Sequence, residues 1–120
     1  MNTPTDCALC RANNQLKTEV VAETPGGYLI PAITSPGNFL IIPNAHIESP
    51  QDLPDSWWSD VKTLLASMPD QPSQYNISLN IGQAAGQRIK HLHFWVIPRA
   101  GGQPASGKGL ALLIQEANER

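Results

Sequence analysis

The stretch "HLHFWVIPR", residues 91–99, holds two of the chain's three histidines. It runs to a Pro-Arg stop, as a short strand would. Side chains alternate across a strand, so His91, His93 and Trp95 are expected on one face. Leu92, Phe94 and Val96 fall on the other and are expected in the core. The two imidazoles would stand about 7 Å apart at Cα. Incidental histidines on a half-exposed strand are the plain alternative to a chemical site.

Outward from this strand, 11 prolines and 9 glycines punctuate the chain, which suits short strands and tight connections. Residues 19–23 and 27–33 read as strands around the turn Thr24-Pro-Gly-Gly27. Pro31 predicts an edge or bent position for the second. Phe39–Ile42 reads as a buried strand after the turn Ser35-Pro-Gly-Asn38, stopped by Pro43. Trp57, Trp58, Val61, Leu64, Leu65 and Met68 recur at helical spacing, which predicts a helix with both tryptophans in the core. Pro54 and Asp55 suit its first turn, and Pro69 ends it. Tyr75, Ile77, Leu79 and Ile81 alternate with Asn76, Ser78 and Asn80, which predicts a strand with one wet face. Lys108–Glu119 predicts a C-terminal helix that buries Leu110, Leu113 and Ile114. Strands, helix, strands, helix in that order predict an α+β fold with an antiparallel sheet, one main helix and a short C-terminal one. A chain of 120 residues is expected to be one domain, 1–120.

Charge and composition narrow the function. A net charge of −2 argues against a track for a nucleic-acid backbone, but not against a small anionic ligand. Met1-Asn-Thr-Pro-Thr-Asp6 has neither a basic start nor an apolar run, so no signal peptide is expected. The longest apolar run, Leu110-Ala-Leu-Leu-Ile114, is far short of the roughly 20 residues of a membrane span. A cytoplasmic protein without membrane contact is expected. There, Cys7-Ala-Leu-Cys10 is not expected to be a disulfide. The pair stays open as half a metal site, a redox pair or chance.

All three histidines and both cysteines fit one scheme. Cys7, Cys10, His46 and one strand histidine make a Cys₂His₂ set of the kind zinc takes tetrahedrally. The other strand histidine is then left to attack phosphorus or carry a proton.

Residues 86–99, "GQRIKHLHFWVIPR", resemble the signature of the histidine triad (HIT) superfamily, His-φ-His-φ-His-φ-φ with φ apolar. Asp6-Cys-Ala-Leu-Cys10 resembles the zinc half-site of bacterial members. Pro36–Pro43 followed by Ala45-His-Ile47 resembles their central strand and its histidine. Leu53-Pro-Asp55 resembles the helix start, and Asn80 with Ala85-Gly-Gln87 the loop into the triad. The resemblance covers residues 6–99 in order.

It implies a HIT-like fold, usually a homodimer formed through sheet and helix contacts. It implies binding of a nucleotide or nucleotide conjugate, with hydrolysis or transfer at the α-phosphorus through a nucleotidyl-histidine. His93 falls at the nucleophile. His91 joins Cys7, Cys10 and His46 as ligands of a structural Zn²⁺. Asn80 and Gln87 fall at phosphate contacts, and Arg88 puts a cation where a small hydroxyl residue is common. Trp95 replaces the third histidine. An indole can donate to a substrate oxygen but cannot relay a proton; uridylyltransferases among the relatives carry glutamine there. Tyr28-Leu-Ile-Pro-Ala-Ile33 lacks the acid or amide that many relatives place against ribose, and Asn38 replaces a frequent histidine. These departures keep a second function open, a nucleotide-binding module with zinc and little or no turnover. A redox or zinc-sensing protein centred on Cys7 and Cys10 is the third.

Overall fold

The computed structural model describes residues 5–119. Residues 1–4, on which the reading of the leader rests, lie outside it. Five short strands form one antiparallel sheet: β1 (Ala22–Glu23), β2 (Gly27–Pro31), β3 (Phe39–Pro43), β4 (Tyr75–Leu79) and β5 (Phe94–Pro98). Their order is β1-β2-β3-β5-β4, so β4 is an edge. Helix α1 (Trp57–Ala66) follows β3, and α2 (Leu110–Asn118) closes the chain. The architecture is the expected α+β one. No helix among the described residues is long and apolar enough to cross a membrane.

The pleat divides the core in two. Leu29, Ile41 and Val96 meet Trp57, Val61, Leu64 and Met68 of α1 on one face. Tyr28, Ile30 and Ile42 meet Cys7, Leu9 and Cys10 on the other. The N-terminal segment is thus a second layer over the sheet, opposite the helix. Gly27 lets α1 come close. A Cβ there would stand 2.7 Å from the Ile42 carbonyl oxygen and 2.8 Å from the Trp57 ring.

Several boundaries differ from expectation. The strand expected at 91–97 begins at Phe94, because residues 91–93 bond elsewhere. Leu92 N–H donates to the Ile47 carbonyl at 2.8 Å, which ties this segment to the loop after β3. Residues 19–23 shrink to β1, although Val21 N–H still bonds the Leu29 carbonyl at 2.8 Å. Pro31 sits on an inner strand, but β1 reaches only Tyr28 and Leu29, so Pro31 owes it no hydrogen bond. Pro54 and Asp55 precede α1, where Trp57 N–H closes a turn onto the Pro54 carbonyl at 3.0 Å.

Three burial expectations fail. Trp58 is 52% exposed while Trp57 is buried, because only the Trp57–Val61–Leu64–Met68 stripe faces the sheet. Tyr75 and Ile77 are exposed on β4, and Ile81 just past it, since α1 does not reach the sheet edge. No residue of α2 is buried, and Ile114 is 61% exposed. Arg99 holds the approach to α2 by donating to the Ala105 and Lys108 carbonyls, each at 2.6 Å.

Candidate functional site

Cys7 and Cys10 flank one turn of the N-terminal layer, His46 lies just past β3, and His91 just before β5. The fold brings these distant residues together. Their ligating atoms all lie within 4.8 Å of one another. Cys7 Sγ is 3.5 Å from His91 Nδ1, and Cys10 Sγ is 3.3 Å from His46 Nδ1 and 3.5 Å from His91 Nδ1. Zinc bonds of about 2.3 Å to sulfur and 2.0–2.1 Å to nitrogen, at the tetrahedral angle, separate S and N by about 3.6 Å. These three S–N distances fit such an ion.

The remote ring nitrogens support the same use. His91 Nε2–H donates to the Pro43 carbonyl at 2.8 Å, and His46 Nε2 lies 3.0 Å from a Glu48 carboxylate oxygen. Both Nδ1 lone pairs are thereby turned inward, the arrangement that orients metal-ligating histidines. Burial lowers the His91 pKa below 6.5, against the raising effect of the Pro43 bond, so its ring stays neutral and able to ligate. Burial, then the hydrogen bond and charge of Cys7, pushes the Cys10 thiol up to about 11. A cation would supply the compensation these thiols need to ionise.

Tyr28 and Glu48 were missed from sequence. Buried Tyr28 donates its hydroxyl to the Leu9 carbonyl at 2.5 Å and pins the Cys7–Cys10 turn. Burial raises its pKa above the ordinary tyrosine range. The spacing His46-Ile-Glu48 was the available signal for Glu48. For Tyr28 there was none, because its partner is a backbone carbonyl.

On the same sheet face lies a cavity of about 500 Å³. His93 lines it, and its Nδ1–H donates to its neighbour His91's carbonyl at 2.8 Å, which leaves Nε2 with a lone pair. Trp95 follows on the same face, its ring centroid 6.3 Å from that of His93. The indole Nε1 is buried without a partner, so Trp95 offers the cavity carbon surface only. Ile30, Ala32 and Leu40 make an apolar wall, with Leu9 from the N-terminal layer. Lys17 and Arg88 bring positive charge.

Of the residues singled out from sequence, the cavity gathers His93, Trp95 and Arg88. Asn80 and Gln87 stand beside it and brace the loop that carries Arg88. Gln87 Oε1 accepts from Gly82 N–H at 2.8 Å, and Asn80 packs under Gly86, where a Cβ would come within 3.2 Å of its amide nitrogen. Gln87, Arg88 and Lys90 line an adjoining depression that shares Arg88 and Gly86 with the cavity.

Known proteins place this architecture. The chain is 32% identical over 80 residues to an adenosine 5'-monophosphoramidase of Schizosaccharomyces pombe, a match covering 65% of this chain and 60% of that protein. It is 31% identical over 100 residues to the adenosine 5'-monophosphoramidase of Saccharomyces cerevisiae, covering 78% and 62%. The chain thus spans about 60% of the length of these relatives. In fold it is similar to a zinc-bound histidine triad family protein from Mycobacterium smegmatis, with TM-score 0.67, 21% identity, and 96% and 98% of the two chains covered. The family model described as HIT domain matches residues 13–102, the span that holds the sheet, α1, both strand histidines and the cavity's charged residues, and the chain belongs to that family.

Proposed function

We propose that this chain takes a nucleotide or nucleotide conjugate into the cavity and transfers its nucleotidyl group to His93 Nε2. The bond from His93 Nδ1 to the His91 carbonyl carries this reading. It fixes the tautomer with Nε2 unprotonated, and it stabilises the positive charge that develops on the ring as Nε2 attacks. Arg88, Lys17 and the amides of Asn80 and Gln87 are the donors near the phosphates. The related adenosine 5'-monophosphoramidases support a nucleotide as substrate.

In the same proposal Cys7, Cys10, His46 and His91 hold a structural zinc. With four protein ligands it keeps no position for water, so it organises rather than reacts. The chain pairs as a homodimer through the β4 edge, where Tyr75 and Ile77 are exposed beside unpaired backbone groups.

A nucleotide-binding module with little turnover is the second reading. The apolar wall at Ile30 and the indole at position 95 favour it.

Incubation with a panel of adenylyl conjugates, followed by acid quench and peptide mass analysis, separates the two. We expect one adenylyl group on the peptide containing His93, absent from His93→Ala. Adduct on another residue, or turnover surviving in His93→Ala, overturns the assignment. A ligand-induced thermal shift without adduct establishes the binding module.

A further inference from the structure

The cavity runs across the sheet, and strand pairing defines its floor. Ile30 on β2 stands opposite Leu40 on β3, and Leu40 stands opposite Trp95 on β5. Directly opposed residues share a face, so these three lining residues form one apolar row. β3 lies between β2 and β5, and the row therefore spans two strand spacings, roughly 10 Å. Each side of the row carries a cation. Arg88 and His93 belong to the segment entering β5. Lys17 and Thr18 belong to the segment entering β1, which pairs with β2, and they line the cavity with Thr34, just past β2. Arg11, Arg99 and Lys108 are tied to Glu23, Asn76 and Glu116, whereas Lys17 and Arg88 form no hydrogen bond or ion pair with any described residue. The described lining holds no aspartate or glutamate.

This inventory selects what the sugar of a bound nucleotide carries. A plain ribose presents two vicinal hydroxyls that donate hydrogen bonds. In dinucleotide-binding folds a carboxylate meets such a hydroxyl, and a cation accommodates the phosphate that replaces it. Here the carboxylate is missing and a free cation is present. A phosphate on one sugar oxygen turns a donor into a group of charged acceptors, which a lysine ammonium and two threonine hydroxyls can serve. The flexible four-carbon stem of Lys17 closes what remains of the reach across the row.

We propose, resting on the reading of the cavity as a nucleotide site, that its substrate is a conjugate of a nucleoside bisphosphate. The reacting phosphorus lies at His93 and Arg88, and a second phosphate, on the 2' or 3' oxygen of the sugar, is held by Lys17 with Thr18 and Thr34. The nucleoside between them covers the Ile30–Leu40–Trp95 row. Lys17 and Arg88 thus serve different phosphates, and Lys17 is a specificity-determining residue.

The test measures Kd by titration calorimetry on the full zinc-loaded chain, at one ionic strength, with four probes: 5'-AMP, 5'-ADP, adenosine 2',5'-bisphosphate and adenosine 3',5'-bisphosphate. A hydrogen bond to a charged group is worth about tenfold or more in affinity. One of the two bisphosphates should therefore bind the wild type at least about tenfold more tightly than 5'-AMP. The readout in each variant is the ratio of those two affinities, which cancels any general effect of the substitution. Lys17→Met should bring the ratio close to one, and Lys17→Arg, which keeps the charge, should retain it. The 5'-ADP probe adds the same charge at the other end, so its affinity relative to 5'-AMP should not follow Lys17. Equal wild-type affinity for 5'-AMP and both bisphosphates overturns the proposal without any variant. A bisphosphate preference that survives Lys17→Met, or a 5'-ADP preference lost with it, overturns the assignment of Lys17. An adenylyl adduct on His93 alongside either result leaves the nucleophile standing and removes only the second phosphate. Failure of all four probes to bind overturns the nucleotide reading as well.

Discussion

The proposed zinc should set the stability of the chain, and the size of its effect follows from linkage. An ion that binds only the folded state stabilises by about 2.7 kcal/mol at a hundred times its Kd and about 4.1 kcal/mol at a thousand times. Above Kd, each tenfold rise in free zinc therefore adds about 1.4 kcal/mol. Unfolding entropy of about 2.1 cal/mol/K per residue gives about 0.25 kcal/mol/K for 120 residues. One decade of free zinc then raises Tm by about 5–6 °C, and three decades by about 16 °C. Thermal melts in zinc buffers spanning several decades measure this slope directly. Cys10→Ser is the control, because Cys10 Sγ is the atom closest to both imidazoles, at 3.3 and 3.5 Å. Its melts should lose the slope. A wild-type Tm that ignores free zinc, or a Cys10→Ser slope equal to the wild type's, refutes the four-residue site.

Three further outcomes follow from individual residues. Tyr28→Phe strands the buried Leu9 carbonyl and should cost about 1–3 kcal/mol, read as a lower urea midpoint, with faster amide exchange in residues 7–13 than in α1. Ile77→Lys puts charge on the exposed row of the edge strand; sedimentation should show the dimer converted to monomer, and a wild type that sediments as a monomer removes that interface. Acid should weaken the metal-stripped protein through His91, whose folded pKa lies below the 6.5 of the unfolded chain. Protons then favour the unfolded state, so this contribution is fully present above pH 6.5 and is lost as pH falls through the folded pKa. Urea melts at pH 7.5 and 5.5 should therefore differ, with a smaller difference in His91→Gln.

The sequence was most legible where one period dominated. The Trp57–Val61–Leu64–Met68 stripe located α1, and alternation put His93 and Trp95 on the face opposite Val96. The Cys–His cluster was readable as a count of cysteines and histidines up to the choice between His91 and His93, which only the resemblance supplied, and not from spacing, because it joins segments far apart in the chain. Burial at the margins was not readable. Apolar residues on β4, on α2 and at Trp58 carry the same pattern as core residues, and only the reach of α1 decides that they stay exposed. The state of the Trp95 N–H was also hidden, since donor burial depends on neighbours that no local pattern encodes.

The turn that carries Cys7 and Cys10 also carries Ala8 and Leu9, which form part of the cavity wall. That wall belongs to no strand of the sheet; the Tyr28 hydroxyl bond and the Cys–His cluster add to its apolar packing on Ile30 and Ile42. On the proposed zinc site, a buffer containing a chelator would loosen that side of the cavity, leaving it to the apolar packing on Tyr28, Ile30 and Ile42. On the proposed function, a preparation handled that way would report poor nucleotide affinity while His93 stayed intact, so metal content has to be established before an idle sample is read as an idle protein.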